Sequence, residues 1–180
     1  MPTAKKSGSS KTSTKKAPPA ATKGFDAIKL LTDDHKEVKA LFKEYEKLVS
    51  SEADDEEKHV LAIRICALLT IHAEIEEEIF YPAAREAIEE QDLLDEAEVE
   101  HASAKDLIAQ IEGMQPSDKL FDAKVTVLGE YIDHHVKEEE EEMFPKVKKT
   151  DVDLLAIGQE LSARKQEFMA QLDAPEPANA

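Results

Sequence analysis

One stretch of this chain occurs twice. His72-Ala73-Glu74-Ile75-Glu76-Glu77-Glu78-Ile79-Phe80-Tyr81-Pro82 returns in altered form as His135-Val136-Lys137-Glu138-Glu139-Glu140-Glu141-Glu142-Met143-Phe144-Pro145. Each copy places a glutamate four residues after a histidine, and on a helix that spacing stacks the two side chains on one face. A metal ion needs ligands aimed at one point, and helix bundles build such sites from pairs of this kind on facing helices. The chain is therefore expected to bring at least two helices face to face around a shared centre.

Hydrophobic periodicity supplies those helices. From Asp26, an expected N-cap, core positions fall at Ile28, Leu31, His35, Val38, Phe42, Tyr45 and Val49, alternating three and four residues apart. Asp33 and Asp34 fall off that stripe and are expected to be solvated. After a polar turn over Ser50 to Asp55, a second helix carries Leu61, Ile65, Leu68, His72, Ile75/Glu76 and Ile79. Pro82 should kink it, with continuation through the helix-friendly Ala83 to Glu90. A third helix, about Asp92 to Met114, carries Leu94, Ala97, His101, Ala104, Ile108 and Ile111 and is closed by Gly113 and Pro116. A fourth opens near Ser117 or Asp118, carries Phe121, Val125, Leu128, Ile132, His135, Glu139 and Met143, and ends at Pro145. A weaker stripe through Leu154, Ile157, Leu161, Phe168 and Leu172 predicts a fifth helix without histidine, suited to packing or partner contact.

A lone histidine on an apolar face is more often a satisfied core residue than a ligand. Here four helices carry one each, His35, His72, His101 and His135, and two of them add a carboxylate one turn on, Glu76 and Glu139. Burying those glutamates without compensation is costly, and a cation compensates them. Four imidazoles plus two carboxylates bridging through both oxygens exceed what one tetrahedral zinc accepts. With a solvent-derived bridge they suffice for two five-coordinate ions. The imidazole and carboxylate mixture suits iron or manganese, and iron is the expectation. Of the remaining histidines, His59 reads as a surface residue and His134, rotated about 100° from His135, as a surface residue or a neighbour of the ligands. In the glutamate runs Glu77 is placed to accept a hydrogen bond from a ligand, and the members of 138–142 other than Glu139 read as a solvated acidic face.

Composition bounds the rest. The net charge of −17 arises from forty acidic and twenty-three basic residues. Residues 1–23 hold six lysines and no acid, so the remainder carries a formal −23, a poor partner for nucleic acid. That arm, rich in Ala, Lys, Ser, Thr and Pro, is read as disordered. One cysteine, Cys66, within an apolar segment, excludes an intrachain disulfide and reads as a packed hydrophobe. No stretch is apolar enough to span a bilayer or resemble a secretory leader, so a cytoplasmic protein is expected. The expected organisation is a basic arm at 1–23, a bundle at 24–149, a C-terminal helix at 150–173 and a frayed tail at 174–180.

The residues Asp34-His35, His72-x-x-x-Glu76-Glu77 with Phe80-Tyr81-Pro82, Glu100-His101, and His135-x-x-x-Glu139-Glu140 with Met143-Phe144-Pro145 resemble the haemerythrin-like family, also called the HHE cation-binding domain. The resemblance covers roughly residues 25–146. It implies an all-α, up-down-up-down four-helix bundle holding an oxo- or hydroxo-bridged pair of non-haem irons. His35, His72, His101 and His135 would be terminal ligands, with Glu76 and Glu139 bridging. The family's oxygen carriers have two ligand histidines four apart on the third helix, where this chain has Ala97 and Lys105 flanking His101. Their fourth helix uses an aspartate five residues after histidine, where this chain has His135-x-x-x-Glu139. What the resemblance implies here is reaction with dioxygen or peroxide at the iron pair, in sensing, oxygen handling or stress defence. The alternatives are an enzyme decomposing peroxide or nitric oxide, catalase-like or nitric oxide reductase-like, and an iron-responsive interaction module without redox chemistry.

Overall fold

A computed structural model of the protein describes residues 26–172, and within them all regular structure is helical. The expected disordered arm at 1–23 and the frayed tail at 174–180 lie outside the described residues.

The first helix, Ala27–Ser50, starts where Asp26 accepts a hydrogen bond from the Lys29 amide, as the N-cap reading anticipates. Asp54 caps the second in the same way through the Glu57 amide. That second helix runs Asp55–Ile75, widens into a π turn over Glu76–Phe80, and resumes as α-helix over Tyr81–Ala87. The third spans Gln91–Glu112 and stops at Gly113. The fourth repeats the pattern of the second, with α-helix Phe121–Glu138, a π turn Glu139–Met143 and α-helix Phe144–Val147. A fifth helix, Leu154–Leu172, follows. Neighbours in sequence pack side by side and the fourth helix closes back on the first, giving an up-down-up-down bundle, with the fifth helix laid across the first and second.

Five expectations are corrected. Pro145 does not end the fourth helix, which continues to Val147, and the kink expected at Pro82 is a π turn that begins at Glu76. Proline has no amide hydrogen and its ring collides with the carbonyl four residues back. Both chains of hydrogen bonds adapt before the proline, so that the Tyr81 amide bonds to the Glu76 carbonyl and the Phe144 amide to the Glu139 carbonyl. The fourth helix opens at Phe121 instead of Ser117 or Asp118, because Asp118 is used to close a turn, accepting from the Gln115 amide at 2.9 Å. In the first helix Leu41 takes the buried position expected of Phe42, and Val49 is exposed.

Every helix of the bundle is apolar at both ends and polar in the middle of its inward face. One core unites Val38, Leu41 and Tyr45 with Leu61, Ile65 and Leu69, Ile108 and Ile111, and Phe121, Val125, Leu128 and Ile132. The other unites Ile28 and Leu31 with Ile75, Phe80 and Tyr81, Leu94 and Ala97, Met143 and Phe144, and Leu161. Between the two lies a layer of buried polar residues: His35, His72, Glu76, His101, His135 and Glu139. Cys66 belongs to the first core, where burial and then the Glu112 charge push its thiol up to about 12, so it packs and does not react.

Leu161 is the one large apolar side chain of the fifth helix that is fully buried, and it joins that helix to the second core. Leu161→Ala should cost about 2–4 kcal/mol of unfolding free energy, the range for deleting a buried leucine. Urea titration followed by circular dichroism checks this, and a loss well under ~1 kcal/mol would mean the helix is not docked as described.

Candidate metal centre

The repeat places its two histidine-glutamate pairs on the second and fourth helices, while the first and third each add one histidine at mid-length. All six sequence-selected residues converge. His35 Nε2 and His72 Nε2 stand 3.1 Å apart, as do His101 Nε2 and His135 Nε2. Ligands at right angles on one ion, each about 2.1 Å from it, stand about 3 Å apart, so each histidine pair has the spacing of two donors to a common cation.

The glutamates tie the pairs together. Glu139 Oε2 lies 3.2 Å from His35 Nε2 and 3.6 Å from His135 Nε2. Glu76 Oε2 lies 3.2 Å from His72 Nε2 and 3.5 Å from His101 Nε2. Each carboxylate thus reaches a histidine of either pair. Two donor groups can each hold a cation, His35, His72, Glu76 and Glu139 in one, Glu76, His101 and His135 in the other, with Glu76 common to both.

The remaining valences show what is missing from this layer. Glu76 is 0% exposed and Glu139 1%, yet Glu76 Oε1, Glu76 Oε2 and Glu139 Oε2 have no hydrogen-bond donor. Buried carboxylate oxygens left bare cost several kcal/mol each by rough reckoning. Cations at the two donor groups would give both carboxylates the partners that they lack. The residues present therefore fit metal ions.

Around the histidines runs a ring of carboxylates that fixes their orientation. His35 Nδ1 is 2.9 Å from Glu140, His101 Nδ1 2.9 Å from Glu77, His135 Nδ1 2.8 Å from Glu100, and His72 Nδ1 3.5 Å from Asp34. With each Nδ1–H donated outward, every Nε2 lone pair points inward. The arrangement follows the duplication. The acid before the histidine, Asp34 or Glu100, supports the ring of the next helix, and the acid after the inner glutamate, Glu77 or Glu140, does the same for the helix that follows it around the bundle. Glu77 has the role its position suggested. Asp34, expected in solvent, is instead mostly buried, accepting from Lys165 of the fifth helix as well as from His72. Glu140 stays exposed, as expected of the acidic face, yet also reaches inward to hold His35. The repeated acid-histidine and Glu-Glu dipeptides were the signal for both.

The sequence marks Tyr81 only as a member of the Phe80-Tyr81-Pro82 motif, but its hydroxyl donates to Glu139 Oε1 at 2.9 Å and lies 3.1 Å from His101 Nε2. Its ring leans on His101, with centroids 5.3 Å apart, and its counterpart in the second copy, Phe144, stacks on His35 at 5.9 Å. The two halves of the centre therefore differ by one phenolic oxygen. Lys105 Nζ, four residues after His101, turns away to Glu74 and Glu77 at 3.0 and 2.8 Å. His59 lies outside the centre, half-buried against Phe121, and His134 is exposed.

Charges in the metal-free layer are mutually dependent. Burial opposes protonation of His72, but the nearby Glu76 charge and the hydrogen bond to Asp34 outweigh it and lift the imidazole to about 10. His135 is raised to about 9, where the Glu139 charge and the Glu100 hydrogen bond overcome burial. His101 moves the other way, depressed by burial with the positive His135 beside it. Glu139 is held well below the usual carboxylate range: burial works against its charge, but His135, His35 and His72 prevail. Burial and the neighbouring Glu139 and Glu76 charges raise Tyr81 far above 10, so the phenol keeps its proton.

Beside the four histidines lies a cavity of about 30 Å³, walled otherwise mainly by Val38, Leu69, Ala73, Ala104, Ile108, Ile132 and Val136. One water needs on the order of 10–15 Å³ by this measure, so the space holds a molecule of two or three heavy atoms at most.

Comparison with known proteins agrees with this geometry. A protein from Nostoc sp. (strain PCC 7120), described as a DNA nickase, is 32% identical over 115 residues, which are 64% of this chain and 31% of that protein. The chain thus spans about a third of the length of that relative. Among solved structures, the hemerythrin HHE cation binding domain-containing protein from Mycobacterium kansasii, an Rv2633c homolog, superposes with a TM-score of 0.68 at 26% identity, covering 86% of this chain and 96% of that one. The family profile described as the hemerythrin HHE cation binding domain matches residues 26–147, and the chain belongs to that family.

Proposed function

We propose that the centre holds two non-haem iron ions and that the protein binds or reacts with dioxygen or a related small oxidant. The observation that carries this reading is the small apolar cavity at the histidines, which is far below the roughly 300–1,000 Å³ of an organic ligand site. Its walls favour an apolar diatomic over water.

An iron pair supplies one- and two-electron chemistry toward oxygen species. The chain's own residues would do the following. His35, His72, His101 and His135 present neutral Nε2 donors, with Glu76 and Glu139 spanning the two positions. Asp34, Glu77, Glu100 and Glu140 hold the Nδ1 protons and so the ring orientations. Val38, Leu69, Ile108 and Ile132 keep bulk water from the open side. Tyr81 holds a proton at its hydroxyl beside His101 and Glu139.

That proton supports a second reading, an enzyme that decomposes peroxide or nitric oxide, since general acids of this kind contribute about 10²–10⁴-fold. DNA is not proposed as a substrate, because residues 24–180 carry a formal −23. A cytoplasmic setting agrees with the single buried cysteine, and no described helix is long and apolar enough to cross a membrane.

Four outcomes check this reading. Anaerobic protein loaded with ferrous iron should consume oxygen and develop near-ultraviolet absorption of an oxygen-bridged ferric pair. Ala104→Phe, which fills the cavity, should slow that change with iron content retained, and an unchanged rate would remove the cavity from the account. His101→Ala should lose about one of the two ions, or the whole oxygen-dependent spectrum, because one donor group would fall to two members. Tyr81→Phe should keep both ions; if the protein turns over peroxide, the variant should do so about 10²-fold more slowly.

A pH test follows from His72 and His135. Their folded values are raised, so in the metal-free protein they contribute stability that is full below about 6.5, the unfolded value, and is lost as pH rises through about 9 and 10. Bound ions displace those protons. The melting temperature of the metal-free protein should fall between pH 7 and 10, while that of the iron-loaded protein should fall less or not at all. Parallel curves would contradict the assignment of His72 and His135.

A further inference from the structure

One residue before each half of the fourth helix's histidine-glutamate pair stands a second such pair, His134 and Glu138, facing outward. His134 Nε2 lies 3.3 Å from Glu138 Oε1 and 3.4 Å from Glu100 Oε1 of the third helix. Donor atoms of the three residues all lie within 4.8 Å of one another, and the spacings match those of the buried centre. The second helix has Ile71 and Ile75 at the corresponding positions, both buried. There the fifth helix covers the surface and its Lys165 satisfies the outer oxygen of Asp34. No described helix covers the seam between third and fourth, where the outer oxygen of Glu100 meets an imidazole.

From this we infer that His134, Glu138 and Glu100 form an outer site for a divalent transition-metal ion, through which ions reach the buried centre. One imidazole nitrogen and two carboxylate oxygens are a sufficient hold for a labile ion of borderline softness, with water filling the remaining positions. Asp92, Asp95 and Glu96 line the same open cleft, and no lysine or arginine does among the described residues. Arg85 neutralises Asp95 from the rim. The remaining negative charge concentrates cations at the mouth. Glu100 belongs to both sites: its other oxygen holds His135 Nδ1 at 2.8 Å, so an outer ion sits one side chain from a residue of the centre. The inference rests on the centre's taking up metal, and its test separates the two.

The probe is cobalt(II) added to the full-length metal-free protein, with bound ions counted by equilibrium dialysis and the filling of the centre followed by stopped-flow absorbance. His134→Ala/Glu138→Gln is compared with the native chain; both positions are on the surface, and circular dichroism confirms the fold. The native chain should bind one more, weaker cobalt ion than the variant. The variant should fill its centre to the same extent but about tenfold more slowly, a modest loss of electrostatic steering. No extra ion in the native chain, an extra ion that survives in the variant, or equal filling rates would overturn the proposal. Failure of the buried centre to bind any ion in either protein would overturn the centre's reading instead, and the ion count of the outer site would still stand or fall by the difference between the two chains.

Discussion

Two glutamates buried between two apolar cores are the constraint on which this structure depends. Glu76 and Glu139 cannot keep their charge there without compensation, and the bundle provides it in two ways. In the metal-free chain, protons on His72 and His135 offset the carboxylates. With cations bound, the ions take over that role and the histidines become neutral donors. Both states need the same geometry, in which each carboxylate reaches a histidine of either pair. The polar layer is therefore preorganised for metal, since the four Nε2 atoms already point inward before any ion arrives.

The prolines matter more than their number suggests. Each lies six residues after an inner glutamate, and each is preceded by a π turn that contains that glutamate. A regular helix would aim only one of two consecutive glutamates at the centre. The wider turn lets Glu76 and Glu139 enter it while Glu77 and Glu140 reach histidines of the neighbouring helix. The same device appears in both copies, so the centre inherits an approximate two-fold symmetry from the duplication. Tyr81 against Phe144 breaks it, and a phenolic proton stands on one side only. That difference makes the two donor groups chemically unequal.

Much of this was legible in the residues. The inward stripes of the third and fourth helices match the buried positions nearly one for one, and the six residues chosen for chemistry form one layer. What escaped was the supporting ring. Asp34 adjoins the first helix's buried stripe and was assigned to solvent, because a one-helix reading knows one buried face and cannot see the fifth helix that brings Lys165 over it. Glu140 was lost in a run of five glutamates, since a 3.6-residue period assigns it outward and only the π turn brings it to His35. The start of the fourth helix was misplaced because Asp118 suits an N-cap and a turn equally well. Packing against other helices decides such cases, and periodicity along one helix does not contain that information.

The central claim is that Glu76 and Glu139 span two ions, each also held by one histidine pair. Anomalous diffraction at the iron edge, from crystals of the iron-loaded protein, tests it most directly. Two iron peaks should appear in the polar layer, one bonded to His35 and His72, the other to His101 and His135, both in contact with the two glutamates. A single ion in that layer, or irons bound elsewhere while Glu76 and Glu139 remain bare, would contradict it.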